Sequence, residues 1–306
     1  YSHGSTINPL LGLAAIHNGS TTASHTMFCR GFYSLPGKTH RYRDWKPEGH
    51  GRMDMHDAIA QSCDTYFYEL AVNLDIDNIA SSLKRFGLGT PTGIDIGGEV
   101  AGIVPSKEWK KDNFKNAADQ VWFPGETVIT GIGQGYLLTT PLQLAEATAA
   151  LASRGKRYQP MLVQAVKDSV TGEVTPRPHI EKKSIDDILE RDWDEIIGGM
   201  RGVIKDPKGT ARAIGYSAPY SLAGKSGTAQ VFSIPQDEEY DAEEVAERMR
   251  DHALFIAFAP IEEPRIAIAV IVENGGSGSG VAAPIARAVM DTYLAEKPPL
   301  VAEPES

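Results

Sequence analysis

Three short segments carry side chains that could together perform acyl transfer. Ser5 precedes an apolar stretch, and Ser62-Cys63-Asp64 places a second hydroxyl near a carboxylate. Lys225-Ser226-Gly227-Thr228 adds an amine and two hydroxyls within an apolar run. A serine hydroxyl becomes a nucleophile when a nearby base accepts its proton, and backbone N–H groups stabilise the oxyanion that forms. Together the segments are suited to a serine acyl-enzyme site.

Taken singly, each segment is weak evidence. A serine ahead of an apolar helix is most often an N-cap residue. In this order, however, the segments resemble the S-x-x-K, S-x-N or S-x-D, and K-T-G or K-S-G signature of penicillin-binding proteins and serine β-lactamases. Further stretches resemble the class B transpeptidases, specifically the penicillin-binding protein 2 group of the elongation machinery: Arg43-Asp44-Trp45-Lys46, Gly49-His50-Gly51, Gly131 to Tyr136, Thr140-Pro141, Asp251-His252, Phe258-Ala259-Pro260 and Glu273 to Gly276.

The resemblance implies a role for each motif residue. Ser5 would be acylated by the D-Ala-D-Ala carbonyl of a peptidoglycan stem peptide, and Ser62 would relay protons. Asp64 is the third residue of the middle motif, and Lys225 would bind the substrate carboxylate and assist the proton transfers of Ser5. The substrate-binding strand would comprise Ser226, Gly227 and Thr228, with the Thr228 N–H sharing the oxyanion hole with that of Ser5.

The first motif departs from the family at one position. The family has a lysine three residues after the serine, and this chain has Asn8. An amide is not a base at neutral pH, so an unmodified Asn8 is expected to lose most of a general-base contribution of roughly 10²- to 10⁴-fold. Three explanations remain open: an engineered change, a natural domain that binds without turnover, or use of Lys225 through Ser62 as a substitute base.

A second set of residues is suited to tetrahedral zinc: Cys29, Asp44, His50 and Cys63. Their spacing alone is irregular, and it also fits a core thiol at Cys63 with Asp44 paired to a neighbouring arginine. The resemblance implies a structural zinc site at these four positions, with no cofactor required for the chemistry. A disulfide between Cys29 and Cys63 is the rival.

Composition narrows the possible classes of protein. The chain has 306 residues, 42% of them hydrophobic, which suffices for a sizeable core. Its net charge of -10 disfavours nucleic acid as a partner, and we expect none, since that affinity comes mostly from cationic groups. The sequence contains neither an apolar run long enough to span a membrane nor a signal pattern at Tyr1. We therefore expect any anchor to lie upstream of this sequence.

The periodicity of apolar residues predicts an α/β fold, with a mainly antiparallel sheet flanked by helices, as in penicillin-binding proteins and serine β-lactamases. We expect one transpeptidase domain over residues 1–297, truncated at its N-terminus, and a loose tail over 298–306. An acidic stretch at 235–249 is expected to be a loop that runs into a solvated helix. The predicted helices are 9–18, 57–74, 141–152, 186–204 and 282–294, and the predicted strands are 158–167, 173–176, 220–232, 253–260 and 265–272.

The function that the resemblance implies is a peptidoglycan D,D-transpeptidase of cell elongation and shape, inhibited by β-lactams. It implies a periplasmic location at the inner membrane, an N-terminal anchoring helix outside this sequence, and a SEDS-family glycosyltransferase as partner. Asn8 leaves open a catalytically impaired domain that binds β-lactams or muropeptides. A β-lactamase is a third possibility, which the stretches 40–56 and 131–141 disfavour.

Overall fold

The computed structural model describes residues 1–231 and 246–295. Short 3₁₀ turns occupy Gly4–Ile7 and Glu247–Met249, and a π-helical turn occupies Gly278–Ala282. The helices are α1 (Asn8–Asn18), α2 (Met55–Gln61), α3 (Asp64–Leu74), α4 (Ile76–Arg85), α5 (Lys107–Asn113), α6 (Pro124–Thr130), α7 (Pro141–Ala152), α8 (Glu190–Lys205), α9 (Arg212–Gly215) and α10 (Ala283–Ala295). The strands are β1 (Met27–Cys29), β2 (Phe32–Tyr33), β3 (Tyr42–Arg43), β4 (Gly51–Met53), β5 (Ala165–Lys167), β6 (Val174–Pro176), β7 (Ala223–Ala229), β8 (His252–Ala259) and β9 (Ile266–Val272).

The main sheet is antiparallel and has the order β7-β8-β9 within the described residues. β8 lies in the middle, and every residue from Ala253 to Ala259 is buried, which explains why its sequence is a continuous apolar run rather than an alternating one. Helices α7, α8 and α10 pack against this sheet. The predicted strands 220–232, 253–260 and 265–272 correspond to β7, β8 and β9, although Phe232 lies outside the described residues.

α1 runs through the middle of the helical layer and packs against α3, α4 and α8. Its residues from Asn8 to Ala15 are all buried, so the helix is enclosed rather than amphipathic. Pro9 occupies the first turn, where a missing N–H costs nothing, and Gly19 ends the helix in the left-handed conformation. The predicted helix 9–18 is confirmed.

The predicted single helix 57–74 is wrong, because the structure breaks it into α2 and α3. Ser62 has φ 58°, which ends α2, and Cys63 is extended at φ -74° and ψ 104° before Asp64 opens α3. The apolar spacing continues through the break because both helices bury one side in the same core. The middle motif therefore lies in a helix–helix junction and not on a helix surface.

Residues 27–53 form two small antiparallel ladders that lie before α2. β1 pairs with β4, and β2 pairs with β3 inside them. Residues 28–52 are rich in Gly, Pro, aromatic and charged residues without sustained periodicity, which predicts an ordered loop or short hairpin, and the two ladders agree with this prediction. The ladder pairing places Cys29 directly opposite Gly51, next to His50.

The remaining predicted elements are present, and all but one have shifted ends. The helix 141–152 is α7, whose Thr140 N-cap and Gln143 form a capping box. Helices 186–204 and 282–294 correspond to α8 and α10, and the hairpin 158–176 is shortened to β5 and β6. Most of the acidic stretch 235–249 and the whole of the tail 298–306 lie outside the described residues. Across the described ranges, no helix is both long and apolar enough to span a membrane.

Candidate active site

Ser5 lies in the 3₁₀ turn Gly4–Ile7, which continues directly into α1. The N-cap of this turn is His3, so Ser5 is not the N-cap residue. Gly4 has φ +54°, and a Cβ at that position would lie 2.4 Å from the Thr228 carbonyl oxygen. Only glycine allows the turn to approach β7 so closely. The close packing holds Ser5 half-buried beside the strand that carries the third motif.

The Ser5 hydroxyl contacts Asp64 at the start of α3. It donates a hydrogen bond to the carboxylate, with 3.4 Å between Oγ and Oδ1. The backbone N–H of Trp45 donates to the other carboxylate oxygen at 3.1 Å. Burial raises the pKa of Asp64 to about 8, and the nearby charge of Asp44 adds to the rise. A buried carboxyl group with a raised pKa, touching a hydroxyl, is typical of functional sites.

Lys225 is fully buried on β7 and contacts the middle motif. Its Nζ donates to the Ser62 hydroxyl at 2.8 Å and to the Ser226 carbonyl oxygen at 2.8 Å. Burial lowers the pKa of Lys225 to about 7, although the charge of Asp64 opposes the shift. An amine with this pKa can accept and return a proton near neutral pH.

β7 presents an open edge for a substrate. In the described part of the chain it pairs with β8 and with no other strand. Ser226 and Thr228 lie on one face of the strand because side chains alternate, with the buried Gly227 between them. An extended peptide can add to such an edge through main-chain hydrogen bonds. The strand is thus placed as the resemblance implies, and the roles of its side chains stay predictions.

Asn8 opens α1 and is completely buried. Among the described residues, neither its Oδ1 nor its Nδ2 has a hydrogen-bond partner. Its side chain therefore makes no hydrogen bond to Ser5, Ser62 or Lys225, although the Asn8 backbone N–H donates to the Ser5 carbonyl oxygen. The position that the family gives to a lysine thus contains a side-chain amide without a hydrogen-bond partner among the described residues. Asp64 contacts Ser5, and Lys225 contacts Ser62.

Cys29, Asp44, His50 and Cys63 converge on one buried point. Their ligand atoms all lie within 4.8 Å of one another. Sγ of Cys29 lies 3.5 Å from Asp44 Oδ2 and 3.5 Å from His50 Nδ1, and Sγ of Cys63 lies 3.5 Å from Asp44 Oδ2. A tetrahedron with ligands about 2.0 to 2.3 Å from zinc has edges of about 3.3 to 3.8 Å. The donor set and the three separations of 3.5 Å fit zinc, whereas the limit of 4.8 Å for the whole set is wider than such an edge.

The two cysteines are free thiols in the structure and not a disulfide. A hydrogen bond from Cys63 and another from His50 lower the pKa of Cys29 to about 2, against the effect of burial. The same contact with Cys29, together with burial, raises the pKa of Cys63. One thiolate is thus already stabilised before any metal binds, as a metal ligand requires.

Comparison with known proteins gives the family of the chain. The family model described as the penicillin binding protein transpeptidase domain matches residues 1–291. The chain belongs to the penicillin-binding protein transpeptidase family. It is 41% identical over 304 residues to the peptidoglycan D,D-transpeptidase MrdA of Haemophilus influenzae, covering 98% of this chain and 45% of that protein. This transpeptidase chain thus spans less than half the length of that relative.

Solved structures agree with the fold of the transpeptidase domain. The crystal structure of Pseudomonas aeruginosa PBP2 in complex with WCK 5153 is 42% identical, with a TM-score of 0.81, and the match covers 97% of this chain and 62% of that one. Helicobacter pylori PBP2 in complex with MreC is 30% identical, with a TM-score of 0.78, covering 96% and 50% respectively. The predicted fold class and the resemblance to penicillin-binding protein 2 are confirmed.

Three residues of this transpeptidase domain had no predicted individual role although they contact its motifs. The Trp45 indole Nε1 donates to the Ser62 carbonyl oxygen at 2.8 Å, which connects the 27–53 segment to the middle motif. The Thr210 hydroxyl lies 2.9 Å from that of Ser226. The Gln134 amide reaches β7 from a separate loop. Trp45 and Gln134 lie in the family-like stretches, whereas no sequence pattern marked Thr210.

Proposed function

We propose that this chain is the catalytic domain of a peptidoglycan D,D-transpeptidase. The observation that carries the proposal is the convergence of three motifs: Ser5 on Asp64, Lys225 on Ser62, and Gly4 on the Thr228 backbone. The name of the Haemophilus influenzae relative supports the same activity. Such an enzyme is a target of β-lactams, which occupy the site of the D-Ala-D-Ala terminus, and it serves cell elongation and shape.

The proposed reaction has two acyl transfers. Ser5 Oγ forms an ester with the penultimate D-alanine carbonyl, and the bond to the terminal D-alanine breaks. The proton of Ser5 passes to the Lys225–Ser62 pair and then to the departing amine, while Asp64 orients the serine hydroxyl. The amine of a second stem peptide next attacks the ester, and Ser5 recovers a proton. The N–H groups of Ser5 and Thr228 bind the oxyanion in both steps.

Intact-protein mass spectrometry with a penicillin tests the activity. We expect a slow mass increase by one penicillin for the chain as it stands, a fast increase for Asn8→Lys, and none for Ser5→Ala. The resemblance implies that the Ser226 and Thr228 hydroxyls bind the substrate carboxylate, so we expect Ser226→Ala to weaken reversible binding before acylation. A mass increase that persists in Ser5→Ala would place the nucleophile elsewhere. Rapid release of hydrolysed penicillin would indicate a β-lactamase instead.

We also propose that Cys29, Asp44, His50 and Cys63 hold one structural zinc ion. Asp44 connects the cluster to α3, since the Thr65 N–H and hydroxyl donate to Asp44 Oδ2 at 2.9 and 3.0 Å. The ion would fix the 27–53 segment against the helix junction and contribute folding free energy.

Metal analysis tests the zinc proposal. Purified protein is expected to contain about one zinc per chain and to release two free thiols after chelation. His50→Gln should lose the metal, whereas His40→Gln, an exposed histidine of the same segment, should retain it. Zinc-free protein with two free thiols, or a protein with no free thiols, contradicts the proposal.

The partners and location are proposed on the same resemblance. We propose that the full-length protein lies at the periplasmic face of the inner membrane, held by an N-terminal helix outside this sequence. It would act on peptidoglycan stem peptides with a SEDS-family glycosyltransferase and the elongation complex. The Helicobacter pylori relative in complex with MreC supports a partner of that kind. The test is to extract the full-length protein from membranes and purify it with its bound partners. If neither a SEDS-family glycosyltransferase nor MreC is purified with it, the partner proposal is contradicted.

A further inference from the structure

The loop Gly131–Tyr136 follows α6 and hydrogen-bonds to two segments that are far apart in sequence. The Gly133 carbonyl oxygen accepts the N–H groups of His3 at 2.9 Å and Gly4 at 3.2 Å. The Gln134 side chain donates from Nε2 to the Thr228 carbonyl oxygen at 3.2 Å. The loop thus contacts the turn that carries the nucleophile and the strand that carries the third motif.

The contact between this loop and the nucleophile turn is too close for a side chain. Gly133 has φ +71°, and a Cβ there would lie 2.3 Å from the Gly4 carbonyl oxygen. The loop is also anchored to its own helix, because the Gln134 N–H donates to the Ile129 carbonyl oxygen at 3.1 Å. The backbone next to the Gln134 side chain is therefore fixed on both sides.

The Gln134 amide binds the free edge of β7. Within a strand, the N–H and C=O of one residue point to the same side, since paired residues exchange both bonds. The Thr228 C=O that Gln134 contacts therefore lies on the same side of β7 as the Thr228 N–H. Gly4 packs against the backbone of the same residue, where its Cβ would lie 2.4 Å from Thr228 O and 2.8 Å from Thr228 N.

We propose that Gln134 is a positioning residue that sets the separation of the two N–H donors that would bind the oxyanion, those of Ser5 and Thr228. This inference rests on the proposed function. Oxyanion stabilisation requires both donors at hydrogen-bond distance from one point, and small displacements of either one weaken it. Gly133 fixes the turn and Gln134 fixes the strand, so one loop sets both donors. The side chain acts through the Thr228 carbonyl and need not touch the substrate.

Gln134→Met tests this role, since methionine keeps the length of the side chain and loses the donor. Gln120→Met is the matched control, because Gln120 also donates from Nε2 to a backbone carbonyl oxygen, that of Phe114, at 2.8 Å. Acylation by a fluorescent penicillin is resolved into the reversible dissociation constant and the acylation rate constant, with and without Asn8→Lys. We expect Gln134→Met to lower the rate constant roughly 5- to 50-fold while the dissociation constant stays within about 2-fold.

Hydrogen exchange gives a second measurement that does not depend on acylation. Amides in residues 3–6 and 226–229 should exchange faster in Gln134→Met than in Gln120→Met, with equal melting temperatures. An equal acylation rate constant in the two variants would overturn the proposal. If no penicillin labels any variant, the proposed function fails instead. Hydrogen exchange still tests the positioning role in that case, and unchanged exchange rates in residues 3–6 and 226–229 would refute it.

Discussion

Replacing Asn8 by lysine changes the one motif position at which the chain departs from its family. Asn8 is completely buried and, within the described residues, its amide has no hydrogen-bond partner. A lysine there would place an amine one helical turn beyond Ser5. Burial would favour its neutral form, which is the form that accepts a proton.

The expected gain is large because a base would enter a site whose other parts are already assembled. A positioned general base contributes about 10²- to 10⁴-fold, or roughly 3 to 5 kcal/mol of activation free energy. Ser5 already contacts Asp64, and Lys225 already contacts Ser62. We therefore expect Asn8→Lys to raise the acylation rate constant by at least about 100-fold.

Asn8→Leu separates the effect of a base from the effect of packing. Leucine matches asparagine in shape and has no polar group to leave unsatisfied. A buried group without a partner costs about 1 to 3 kcal/mol, so Asn8→Leu should raise the free energy of unfolding by about that amount. It should leave the acylation rate constant unchanged.

Stopped-flow labelling by a fluorescent penicillin and urea unfolding of the three chains give the required numbers. An unchanged acylation rate constant in Asn8→Lys would refute the reasoning, because the native chain would then already have an adequate base. A fall in stability in Asn8→Leu would show that the amide has a partner. Equal gains in Asn8→Lys and Asn8→Leu would assign the effect to packing.

Three further predictions follow from contacts around the site. The acylation rate constant should rise with pH through about 7, because burial lowers the pKa of Lys225 to about 7 and only the neutral amine accepts a proton. Lys225→Arg should lack this step, because arginine is always charged. A pH profile of the unchanged chain without the step would contradict the role of Lys225. Thr210→Val should weaken reversible penicillin binding about 3- to 10-fold, since the Ser226 hydroxyl loses its 2.9 Å partner, whereas Thr210→Ser should bind normally. Trp45→Phe should slow acylation about 5-fold, because the Ser62 carbonyl loses its indole donor, and it should leave the metal content of the proposed zinc site unchanged. Equal acylation rates would show that the indole bond is unimportant.

The sequence predicted those helices and strands in which the apolar residues form a separate run with clear ends. α1, α7 and the strands β7, β8 and β9 came from runs of apolar residues bounded by Gly, Pro or charge. The helix junction at Ser62 was not predicted, because α2 and α3 bury apolar residues in the same core and their spacing continues through the break. Ser62 ends α2 with a positive φ, and the spacing of apolar residues along the chain does not indicate this backbone conformation.

The residue types of the site followed from the sequence and its resemblance, but their contacts did not. The four residues of the proposed zinc site are separated by up to 34 positions in the chain, and the ladders and the helix junction bring their ligand atoms within 4.8 Å of one another. The pKa values of Asp64 and Lys225 depend on burial, which a motif does not report.

Ser5 and Lys225 were paired from the sequence as nucleophile and partner. In the structure Ser5 contacts Asp64 and Lys225 contacts Ser62, so the nucleophile and its partner are connected through the middle motif. The sequence alone determined which groups are present and that Asn8 is not a base. Tertiary structure decided which atoms touch, because hydrogen bonds act over about 3 Å between segments that are far apart in the chain.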